Sequence, residues 1–126
     1  MIIEKFIVIT NNTLSKKKLE DDYNVKFLNI TPLDLLYEVR DYIHLGHRLL
    51  THPLMSSIKP NETPFRTVLI SKDKEKQLDM DSLNIIENSI NTTKRFLNDF
   101  DTPNWTEEIL QDFQLIDYDL VHHAID

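Results

Sequence analysis

The sequence predicts a single α/β domain over residues 1–126: a small, open, mainly parallel four-stranded sheet with helices on both faces and two helices at its C-terminal end. Three observations carry this. The first apolar run, Phe6-Ile7-Val8-Ile9, is β-branched and continuous rather than alternating, as in a strand covered on both faces. Between the runs stand helical periodicities with cap-and-proline punctuation. No internal repeat, low-complexity tract or linker divides the 126 residues, which are one domain's worth.

Phe6-Ile7-Val8-Ile9 is the first strand, broken by Asn11-Asn12. Residues 14–20 then make a short helix with a lysine face, and residues 25–30 a second strand. The next helix starts at Thr31, a good N-cap, followed by Pro32 at the first helical position and by Asp34 three residues after the cap. Leu36, Val39 and Ile43 form its apolar face, with Leu35 and Tyr42 beside them. Gly46, the only glycine, stands where a helix is commonly terminated by a residue with positive φ. Leu49-Leu50-Thr51 is expected as a third strand and residues 67–70 as a fourth of open direction. A charged turn at 72–77 leads to a long helix capped by Asp79 or Asp81, with a stripe of Leu83, Ile86, Ile90, Leu97 and Phe100. Thr102-Pro103 repeats the cap-then-proline device before a last helix marked by Ile109, Phe113, Ile116 and Leu120. Right-handed crossovers place the first three strands in the order 2-1-3.

Composition removes several function classes. A formal net charge of -7 repels phosphate backbones and anionic lipid, so neither nucleic acid nor a membrane surface is an expected partner. With no cysteine, this sequence has no thiol couple, cysteine-ligated zinc or iron–sulfur cluster. A single glycine forbids both the dinucleotide fingerprint and the P-loop, and no cofactor is expected. No run reaches the ~18 apolar residues of a membrane span, and the apolar start is only strand length. A cytoplasmic protein is expected.

Residues 46–71 read GHRLLTHPLMSSIKPNETPFRTVLIS and hold three of the five prolines. A proline-stiffened segment this long, carrying Leu54, Met55, Ile58 and Phe65, is expected to be an ordered binding loop folded over the sheet end. In open parallel sheets, ligands sit beyond the carboxyl ends of strands where strand order reverses. The residues leaving those ends are Thr10, Asn11 and Asn12, then Thr31, then Thr51 and His52. With Ser56, Ser57, Lys59, Asn61 and Thr63 of the loop they make a candidate site for a small anion, although each also serves as an ordinary cap or turn residue. Such a loop equally suits docking a partner protein or a second copy of the chain. A competing reading is a small hydrolase or isomerase with His52 as general base and Lys59 or Asn11 stabilising negative charge. Ser56 and Lys59 also have Ser-x-x-Lys spacing, but Pro60 disfavours the helix that motif needs. His44, His47 and His52 lack a carboxylate at ligand spacing, and no metal is assigned.

The same segments carry a family resemblance. Phe6-Ile7-Val8-Ile9-Thr10-Asn11-Asn12, Val39-Arg40-Asp41-Tyr42-Ile43-His44-Leu45-Gly46-His47 and Leu50-Thr51-His52-Pro53-Leu54 are similar to the GrdX family. So are Ser57-Ile58-Lys59-Pro60-Asn61-Glu62-Thr63-Pro64-Phe65 and Ser82-Leu83-Asn84-Ile85-Ile86-Glu87-Asn88-Ser89. The resemblance spans roughly residues 5–98 and leaves the acidic stretch after Phe100 uncovered. It implies an accessory protein of the gene clusters for glycine, sarcosine and betaine reductases, with a reductase component as partner. It supplies no catalytic residues. Without thiols, such a chain would bind, assemble, regulate or process rather than relay electrons.

Overall fold

A computed structural model describes residues 2–126. Three strands, β1 (Phe6–Thr10), β2 (Asn24–Phe27) and β3 (Thr67–Ser71), form a mixed open sheet in the order β2-β1-β3. Four helices complete it: α1 (Thr13–Leu19), α2 (Pro32–His44), α3 (Met80–Asp99) and α4 (Glu107–Ile125). β1 runs parallel to β2 and antiparallel to β3, with Thr10 opposite both Phe27 and Thr67.

The continuous apolar runs read correctly as strands covered twice. Ile9, Val68 and Ile70 pack under α2 and α3 with Leu36, Val39, Ile43, Ile86 and Ile90. Val8 and Leu69 face the other way, against Leu19, Val121 and Ile125 of α1 and α4. All five residues of β3 are buried, so this strand, rather than a parallel one, takes the place beside β1.

The expected third strand is the main correction. Leu49 makes one antiparallel bridge, to Ile70, so the stretch lies outside β3 and not beside β1. Its direction is that of β1, as predicted. Two backbone bonds join it to β3, from Leu50 N to Leu69 O at 2.9 Å and from Ser71 N to Arg48 O at 2.8 Å, with side-chain hydroxyls taking the neighbouring amides. Leu49 N donates to Ser82 Oγ at 2.9 Å, and Thr51 Oγ1 accepts from Leu69 N at 3.0 Å. The sheet therefore has three strands and is not mainly parallel. Further along, α4 starts four residues later than the Thr102-Pro103 signal, with Thr106 as its N-cap. The α3 stripe is core at Ile86 and Ile90 but reaches solvent at Leu97 and Phe100. On α4 the buried residues are Val121 and Ile125, while Ile109 and Ile116 are exposed.

Helix punctuation matches the sequence. Thr31 Oγ1 accepts from Asp34 N, Asp79 Oδ2 from Ser82 N, and Asn12 Oδ1 from Leu14 N. At the end of α2, Gly46 N donates to Ile43 O and His47 N to Tyr42 O, the paired bonds of a Schellman turn. Tyr42 and His47 stack edge-on above it, with centroids 5.4 Å apart. Gly46 has φ 110°, and a Cβ there would collide with the Glu75 carbonyl oxygen. Gly46→Ala therefore combines backbone strain with a backbone clash. It is expected to lower stability by about 2 kcal/mol or more, read as a drop in the urea midpoint at unchanged m-value.

Candidate functional site

The carboxyl end of β1 meets the start of β3, so three polar residues leaving β1 face the last residues of the proline loop. Thr10 and Thr67 stand in register with their hydroxyls 2.8 Å apart. Asn11 is nearly fully enclosed and ties three segments together. Its Oδ1 accepts from Arg66 N at 2.8 Å, and its Nδ2 donates to Ile30 O at 2.9 Å and Pro64 O at 3.2 Å. Asn12 caps α1 with its oxygen and donates through Nδ2 to Gln114 O and Asp117 Oδ2, both at 2.9 Å.

Asp117 projects from α4 into this rim. Its Oδ2 accepts from Thr67 Oγ1 at 2.5 Å, from Asn12 at 2.9 Å and from Ser15 Oγ at 3.5 Å. As a residue Asp117 is only half-buried, but its carboxylate is the enclosed end. Burial pushes its pKa above the ordinary 3.8, against the opposing pull of the Thr67 and Asn12 hydrogen bonds, the Arg66 charge and Ser15.

Arg66 is the second buried charge, 5% exposed. Burial lowers its pKa from the ordinary arginine range to about 10, partly offset by the charge of Asp117. Among the described residues no carboxylate comes within 4.0 Å of its guanidinium. Its side chain has one long hydrogen bond, from Nη1 to Ser56 Oγ at 3.4 Å. A guanidinium carries five N–H donors, so this largely buried cation has most of them unmatched by protein, although none of its nitrogens numbers among the fully buried unpartnered atoms.

Arg66 and Asp117 share one pocket between the loop and α4. Pro53, Met55, Ser56, Ile58, Thr63 and Phe65 line it on the loop side, and Phe113, Ile116 and Leu120 on the helix side. The apolar stripe that marks α4 in the sequence is thus largely the pocket wall. Its inner space is about 20 Å³, room for about one water, opening to about 350 Å³ with the mouth included. Only a water-sized group fits the inner part, and a larger ligand would extend into the mouth. Mostly apolar walls with a few convergent polar groups are the general form of a small-molecule site.

The expected site residues divide. Thr10, Asn11 and Asn12 make the hydrogen-bonded rim and do not line the pocket, whereas Ser56 and Thr63 do. Thr31 lies on the surface as the α2 cap, and Thr51 is spent on Leu69 N. His52 is exposed, with Nδ1 accepting from Leu54 N at 3.0 Å. Ser57 is exposed, and Lys59 sits over the Phe100 ring at 5.8 Å. Asn61 is buried, donating to Asp101 O at 3.0 Å, with its Oδ1 unpartnered. Neither His52 nor Lys59 lines the pocket, and no contact joins either to Asn11 among the described residues. His47 Nδ1 lies 2.7 Å from Ser71 O, away from His44 on the surface.

Sequence reasoning missed Arg66 and Asp117. Arg66 sat unremarked between the loop and a strand, and Asp117 was one of many acids on an acidic helix. The usable signal was a lone arginine directly before a run expected to be buried.

The sequence model of a protein family described as GrdX-like protein matches residues 7–126, so the match takes in α4 and Asp117 as well as the loop. Neither the curated proteins nor the solved structures yield a match.

Two charges buried without mutual contact should weaken the fold. The fall of Arg66 to about 10 corresponds to about 3 kcal/mol against its charged form. Arg66→Met is therefore expected to raise the thermal midpoint by about 3–8 °C rather than lower it. Asp117 gives a pH signature. Its proton is held more tightly in the folded state than at the ordinary 3.8. The stability it contributes is thus fully present below pH 3.8 and is lost as pH rises through the folded value. Asp117→Asn should remove that part of the fall in urea midpoints between pH 3.8 and neutrality.

Proposed function

The chain belongs to the GrdX-like protein family, and on that premise we propose a non-redox accessory protein that binds a small, carboxylate-bearing molecule in the pocket between the 51–66 loop and α4. The observation that carries this reading is Arg66. A guanidinium held in a mostly apolar pocket without a carboxylate in contact has its natural complement in a ligand anion, bound through two parallel N–H donors. Ser56 and Thr63 add hydroxyls at the pocket wall. The absence of cysteine keeps thiol redox chemistry out of the role. Service to glycine, sarcosine or betaine reductase systems in the cytoplasm belongs to the same proposal and rests on the family's name. Among the described residues, no helix is long and apolar enough to cross a membrane.

A small ligand has more support than a docked protein, because the loop's Met55, Ile58 and Phe65 turn inward to line the pocket. A histidine-based hydrolase has less, because the His52 Nδ1 holds its own turn and the ring stands outside the pocket.

Titration calorimetry with propionate as probe tests the reading. Wild-type protein is expected to bind it, and Arg66→Met to lose the heat signal while remaining folded by circular dichroism. Equal binding by both proteins would remove Arg66, and the reading with it.

A further inference from the structure

We infer that the pocket selects a small zwitterion, with a carboxylate on Arg66 and a cationic nitrogen on Asp117. The inference rests on the anion-pocket reading and goes beyond it, because Asp117 makes the site a poor one for a simple anion. The two charged groups line the same small pocket, and each perturbs the other's titration although no nitrogen–oxygen approach falls within 4.0 Å. A lone anion at the guanidinium would therefore lie in the field of a second, desolvated carboxylate, where repulsion is far stronger than in water. A lone cation at Asp117 would meet Arg66 in the same way. A molecule bearing both charges satisfies both groups, keeps the pocket neutral and spans the gap that separates them.

Hydrogen bonding at Asp117 agrees with this. All three donors described, from Thr67, Asn12 and Ser15, go to Oδ2. They orient the carboxylate through one oxygen and leave Oδ1 without a described partner, although it does not number among the buried unpartnered atoms. That oxygen is the acceptor available to an ammonium. Met55, Ile58, Phe113 and Leu120 of the same lining offer apolar walls to a short hydrocarbon body. The inner space holds about one water, so that body lies in the wider mouth. A bulky dianion such as inorganic phosphate is doubly disfavoured, by size and by Asp117.

Three probes of nearly equal size decide it, titrated into wild-type protein at neutral pH: alanine, propionate and propylamine. Alanine is expected to bind at least about tenfold more tightly than either singly charged probe. Asp117→Asn should bring the affinity for propionate up to or above that for alanine, and Arg66→Met should weaken alanine and propionate together. Propionate binding wild-type protein as tightly as alanine would overturn the inference while leaving the anion-pocket reading intact. Failure of all three probes to bind would overturn both. The wild-type comparison needs no variant, so a misfolded Asp117→Asn protein does not blunt the test.

Discussion

The antiparallel register of β1 with β3 is the constraint on which the molecule depends. β1 is the centre of the sheet, and both its faces are covered by helices. Because β3 returns from the proline loop in the opposite sense, its first residue lies beside the last residue of β1. That adjacency creates the polar rim: Thr10 against Thr67, Asn11 against the Arg66 backbone, and Asn12 against α4. A parallel β3 would have carried Arg66 to the far end of the sheet. Strand direction, more than any motif, determines which residues can form a site.

Much of this was legible in the sequence, for identifiable reasons. Phe6-Ile7-Val8-Ile9 could only be a strand covered twice, and the caps at Asn12, Thr31 and Asp79 are set by local chemistry. Gly46 announced its own conformation. What failed was non-local. Leu49-Leu50-Thr51 has strand composition, but hydroxyls of Thr51 and Ser82 compete for its ladder, a contest decided across 18 and 33 residues of chain. The α4 stripe marks an apolar face, but periodicity does not say whether a helix, a sheet or a pocket stands opposite. Loop residues Thr31, His52 and Lys59 were chosen by chemical type, yet each is occupied locally. Arg66 and Asp117 gain meaning only from proximity, which no spacing rule connects over 50 intervening positions.

The charged pocket also shows where the fold departs from its own stability interest. Elsewhere many buried polar groups are matched, with Arg48 Nε, Asn61 Oδ1 and Thr93 Oγ1 as exceptions: Asn11 uses its oxygen and both donor directions, and Ser71 serves both Arg48 and Asp73. Exposed ion pairs such as Arg48 with Glu4 sit in water, where they contribute little. Against this background a desolvated guanidinium and a desolvated carboxylate held apart are an exception, and strained or costly local arrangements tend to be retained where they serve function. Geometry keeps them separate: the Thr67, Asn12 and Ser15 donors hold the acid toward the sheet, so it does not collapse onto the arginine.

The loop roof over this pocket is fastened to the α3–α4 junction. Trp105 Nε1 donates to Glu62 O at 2.9 Å, Asn61 Nδ2 donates to Asp101 O at 3.0 Å, and the Trp105 ring packs on Phe113 at 5.3 Å. Lifting the roof alone would break both hydrogen bonds, and moving it with the junction would disturb the ring that abuts the opposite wall. Guest admission and the seating of the last helix are thereby mechanically geared to each other. A half-buried indole at that hinge would change its fluorescence whenever the chamber fills or empties.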